Sequence, residues 1–69
     1  MLRLKDLLKV MSDDEKIVII DVDKNINASE VFNGYAEYAK TSSLCEKTVI
    51  ELGAVEESIH IFVKDMKEK

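Results

Sequence analysis

The sequence predicts a small α+β domain: an amino-terminal helix, then a four-stranded, mostly antiparallel, curled sheet with a short helix between its second and third strands (α-β-β-α-β-β). Three observations carry this. Leu4, Leu7, Leu8 and Met11 recur at i, i+3, i+4 and i+7, the apolar stripe of an amphipathic helix. Ile17-Val18-Ile19-Ile20 is a β-branched run, which loses side-chain freedom in a helix and packs well on a pleated surface. Thr48 to Leu52 and Ser58 to Val63 read as two further strands joined at Glu56-Glu57, the pattern of an antiparallel hairpin.

The first helix is expected over residues 2–11, with Lys9 in its last turn, where a cation suits the helix dipole. Ser12-Asp13-Asp14-Glu15 spells a capping box, but the β-branched residues behind it argue for a strand over 16–22 instead. Asp23-Lys24-Asn25 is turn chemistry, since Asp and Asn bond their own backbone and tolerate left-handed angles. Residues 28–40 admit two readings. A helix would pair Asn27 with Glu30 and align Val31, Tyr35 and Tyr38, but it would place Gly34 mid-helix at a cost of about 1 kcal/mol relative to Ala. A strand over 29–35 followed by a short helix over 36–44 is favoured. In the last two strands, period two puts Ile50, Leu52 and Ala54 on one face, as it does Ile59, Ile61 and Val63. The charged residues 65–69 are expected to fray.

The chain of 69 residues reads as one domain. A chain this short buries only about 60% of the surface its unfolded form exposes. A lone cysteine, Cys45, offers no internal disulfide, and no Cys/His cluster offers a structural metal, so the fold must rest on an apolar core, a partner, or both. The 46% hydrophobic content can supply that core. Absent cystines fit a reducing compartment, and a cytoplasmic location is expected. Arg3, Lys5 and Asp6 break any signal-peptide-like apolar start, and the longest aliphatic run is far shorter than a membrane span. A formal charge of −4 with scattered Lys and Arg argues against direct nucleic-acid binding, which needs a concentrated basic face.

No residue pattern points to catalysis or to a cofactor, and none is expected. Asp21, Asp23, Asn25 and Asn27 imitate the opening ligands of a calcium loop. Ile26 stands where that loop needs Gly, and Phe32 where it needs a bidentate Glu, so a solvated turn is the better reading. His60 falls on the strand face opposite Ile59 and Ile61, with no nucleophile or carboxylate at a useful spacing. Cys45 lacks the electropositive setting of a reactive thiol and reads as a small half-buried side chain. Asp13-Asp14 and Glu56-Glu57 read as solvated turn acids. Gly34 and Gly53 read as marks of a bulge or of a close backbone approach.

The first strand is apolar on both faces, with Val18, Ile20 and Val22 on one and Ile17 and Ile19 on the other. One covering helix should leave cleaner alternation. Ile17, Ile19, Val49 and Phe62 are therefore the expected interface residues, on a face that the first helix leaves open, and a homodimer is one way of covering them.

Leu2-Arg3-Leu4-Lys5-Asp6-Leu7-Leu8, the Ile17–Ile20 strand, Val31-Phe32-Asn33-Gly34-Tyr35-Ala36 and the closing Ile61-Phe62-Val63 together resemble short acidic proteins of phages and prophages of Gram-positive bacteria. The resemblance spans most of the chain and implies a mobile genetic element and a bacterial cytoplasm. It carries over no activity or site residue. The expectation is a non-enzymatic protein acting through contacts with an unidentified protein partner. The alternative is an acidic inhibitor that mimics nucleic acid.

Overall fold

In the computed structural model, which describes residues 2–65, the chain runs α1 (Leu4–Lys9), β1 (Lys16–Val22), β2 (Ala28–Tyr35), α2 (Ala36–Ala39), a 3-10 turn over Ser43–Glu46, β3 (Thr48–Val55) and β4 (Ser58–Lys64). The element order is the expected one, and residues 28–40 divide into strand and helix as the glycine argument favours. The helices are shorter than their periodicity suggests, because Val10 already leaves helical geometry and Ser42 restarts the chain as a 3-10 turn. Of the tail expected to fray, Asp65 is exposed and 66–69 lie outside the described residues.

The sheet has the order β2-β1-β4-β3. β1 with β2 and β3 with β4 are antiparallel hairpins, while the central pair β1 and β4 is parallel. A parallel pair needs a long crossover. Here α2 and the 3-10 turn form it, carrying the chain from one sheet edge to the other.

The core follows from that central register. Ile17 lies beside Ile59, Ile19 beside Ile61 and Asp21 beside Val63, so the odd-numbered residues of both strands share one face. Leu4 and Leu8 of α1 and Ala36 and Ala39 of α2 close over it, giving a core of eight buried residues that includes Ile17, Ile19, Ile61 and Val63. Each large aliphatic side chain there is worth about 1.5–3 kcal/mol of burial.

This arrangement corrects the expected interface. Ile17 and Ile19 are 0% exposed at the centre of the core and cannot meet a partner. Val49 also packs against the core, because the register of β3 skips Ile50 and this bulge shifts Val49 onto the face of Leu52 and Ala54. Only Phe62 faces away from the helices, across from Ile20. The bulges fall at Val31 and Ile50, not at Gly34 or Gly53.

The six-residue α1 is too short to be stable alone, and it has no side-chain cap. Main-chain bonds hold it instead. Leu4 N donates to Lys47 O, and Val49 N donates to Leu2 O, extending the edge of β3. The Ser12–Glu15 segment caps a different helix from the one it imitates. Glu15 O and Asp13 O accept from Ala36 N and Glu37 N, the first donors of α2. Lys40 then reaches back from α2, donating to Met11 O at 3.0 Å and pairing with Asp13.

Since Leu8 joins α1 to both central strands, Leu8→Ala should destabilise the domain by about 2–5 kcal/mol, read as a lowered urea midpoint with an unchanged slope. A midpoint equal to that of the wild type would remove α1 from the core.

Candidate interaction face

Every buried helical side chain sits on the odd-numbered face of β1, and among the described residues the opposite face carries no helix. Strand register lays out its residues as four rows across β2, β1, β4 and β3. The first row is Tyr35, Lys16, Ser58 and Val55, and the second is Asn33, Val18, His60 and Gly53. The third is Glu30, Ile20, Phe62 and Glu51, and the fourth is Ala28, Val22, Lys64 and Thr48. The two central strands thus present Val18, Ile20, Val22 and Phe62 as a continuous apolar band, with Glu30 and Glu51 at its flanks.

The band is half-buried by its own neighbours. Val18 is the extreme case at 8% exposure, because it floors a cleft of about 450 Å³ whose other walls are Lys16, Asn33, Val55, Glu56, Glu57 and Ser58. Gly53 leaves open space beside His60, since a Cβ there would meet nothing. His60 itself is half-buried, and its neighbours across the sheet are Val18 and Gly53. Neither can share a proton with it.

A second cleft, about 360 Å³, lies on the helical side among Lys5, Leu8, Lys9, Lys40 and Cys45. Cys45 is half-buried, and its thiol donates to Ala39 O and Lys40 O. It serves to tie the 3-10 turn to the end of α2.

The calcium-like loop is a closed turn. Asp23 Oδ1 accepts from Asn25 N at 2.8 Å and Asn27 N at 2.9 Å, and Asp23 N donates to Asn27 O at 3.0 Å. One carboxylate oxygen, Oδ1, is taken up by its own backbone. The bond from Asn27, with that from Asn25, holds the Asp23 carboxyl below its ordinary value. Ile26 crosses the tip with φ of 64° and is 80% exposed. Among the described residues, no three His, Cys, Asp or Glu side chains converge to hold a metal ion, and no helix is long and apolar enough to cross a membrane.

Of the residues expected at an interface, Phe62 alone lies on this face. Val18, Ile20 and Val22 replace the other three. Their even spacing was visible in the sequence, but which face the helices cover was not. No family model, curated protein or solved structure matches the chain.

Asp23 gives a pH-dependent test of the turn. Its carboxyl is lowered in the folded chain, so its contribution to stability is present above the ordinary carboxylate value, 3.8, and is lost as pH falls through the lowered value. Asp23→Ala should destabilise at neutral pH, with the gap from wild type narrowing below about pH 4. Thermal melts of both proteins across that range measure it. Millimolar calcium should leave the Asn25 and Asn27 amide resonances unmoved.

Proposed function

We propose that this chain is a non-enzymatic interaction protein that works through the helix-free face of its sheet, with self-association as its first mode of contact. The observation that carries the reading is the apolar band of Val18, Ile20, Val22 and Phe62 across the two central strands, with no helix above it. A domain of 69 residues without disulfide gains only about 3–5 kcal/mol from an isolated core, so covering a second apolar face adds stability as well as a contact. The mobile-element and cytoplasmic setting rests on the sequence resemblance alone. The nucleic-acid-mimic reading draws less support. Glu30 and Glu51 on this face are separated by Ile20 and Phe62, whereas a mimic needs its carboxylates side by side.

Sedimentation at tens of micromolar should show a wild-type dimer whose melting temperature rises with concentration. Phe62→Lys places a charge in the band without touching Ile61 or Val63, and should give a folded monomer. A wild type that stays monomeric at those concentrations would rule out self-association.

A further inference from the structure

On the helical side, the lining of one cleft is opposite in charge to the chain as a whole. This cleft, about 360 Å³, opens between α1 and the end of α2 with its 3-10 turn. The first supplies Lys5, Leu8 and Lys9, and the second Lys40 and Cys45. Three cations and no carboxylate line it, in a protein whose formal charge is −4. The cleft beside Val18, by contrast, sets Glu56 and Glu57 against a single lysine.

The three lysines are not equivalent. Lys40 is half-buried and committed, since its Nζ donates to Met11 O and pairs with Asp13. Lys5 and Lys9 are exposed, and among the described residues neither has an ion pair. They stand at i and i+4 on α1, where like charges are neighbours and oppose helix formation. In a six-residue helix without a side-chain cap, an anion seated between them removes that repulsion.

The floor defines the rest of the ligand. Leu8 is 1% exposed, and the half-buried Cys45 thiol already donates to Ala39 O and Lys40 O. Neither side chain offers a free donor to a polar body. No aromatic side chain lines the cleft, so a base or ring has nothing to stack on. Lysine stems lie along apolar surface and keep their heads in water, which lengthens the apolar trough. The volume falls near the lower end of small-molecule sites, roughly 300–1,000 Å³, and suits one short chain better than a two-tailed lipid.

We propose that this cleft binds a medium-chain aliphatic carboxylate. Its tail lies on Leu8, Cys45 and the lysine stems, and its carboxylate sits between Lys5 and Lys9. The site is separate from the helix-free face and does not depend on self-association.

Decanoate, kept below its micelle-forming concentration, is the probe. Titrated into isotope-labelled protein, it should move the Leu8, Lys9 and Cys45 amide resonances along one saturable curve. A Kd on the order of 0.1–1 mM is expected for so small a ligand. Iodoacetamide should alkylate Cys45 more slowly as the site fills, because the tail covers the thiol. Lys5→Gln and Lys9→Gln should each weaken binding about threefold, and together about tenfold, with the fold intact because both side chains are exposed. Acetate, which has the head without the tail, and decyltrimethylammonium, which has the tail without the anion, should leave these resonances unmoved. Sedimentation plays no part in these readouts, so the proposed function stands or falls separately. Decanoate shifts centred on Val18, Ile20 and Phe62 overturn the site by placing the ligand on the sheet. A double variant that binds as tightly as wild type, or a cationic amphiphile that binds equally well, overturns the ligand class. Resonances moved by anionic vesicles but not by monomeric decanoate also overturn it, in favour of a membrane surface.

Discussion

Leu4 and Leu8 rest on Ile17, Ile19, Ile61 and Val63, and most other features of the fold can be traced to that one contact between layers. Helices of six and four residues have no independent stability, since nucleating a helix costs more than so few hydrogen bonds return. They are ordered because their apolar residues find a surface already built. That surface exists only because β1 and β4 lie parallel at the sheet centre, in a register that sets isoleucine beside isoleucine. Removing either layer exposes the other.

The connections are arranged around the same contact. With so little helix, most helix-end donors must be met by main-chain groups of neighbouring segments, and the chain uses residues 13–15 and Lys47 for this. Lys40 and Asp13 then tie the end of the first helical segment to the second, and Lys47 pairs with Asp21 at 3.3 Å, partly buried beneath the sheet. The Lys47–Asp21 pair differs from Arg3 and Glu46, which are largely exposed and contribute little, and from Lys40–Asp13, whose carboxylate is also exposed. The value of Lys40–Asp13 and Lys47–Asp21 lies in position, because each pins a turn that no long helix or strand would hold.

Much of this was legible in the sequence, and the illegible part has a physical cause. The stripe of Leu4, Leu8 and Met11, the β-branched run after Lys16 and the closing hairpin are local signals with local periods, and each became the expected element. Asn33-Gly34 correctly argued against a helix there. The pairing of β1 with β4 is a long-range fact, and no local pattern encodes whether distant strands run parallel. With it unknown, the faces of β1 could not be assigned, so Ile17 and Ile19 were expected outside when they are the core. Val49 was misplaced for another reason: a single extra residue at Ile50 inverts the alternation of the strand before it, and nothing in Thr48-Val49-Ile50-Glu51-Leu52 marks where the bulge falls.

The surplus of apolar residues on β1 was nevertheless read correctly as a surplus. A sheet covered on one side needs only one apolar face, and β1 has two. In a larger domain a second helical layer would cover Val18, Ile20 and Val22. Here the crossover supplies helices to one face only, because a single connection from β2 to β3 passes a single side of the sheet. The second face is therefore left to what side chains can do for one another, with Val18 sheltered at the floor of its cleft and Phe62 half-covered between Ile20 and Glu51. Among the described residues, no helix lies over these apolar side chains, and their partial burial comes from neighbours within the sheet.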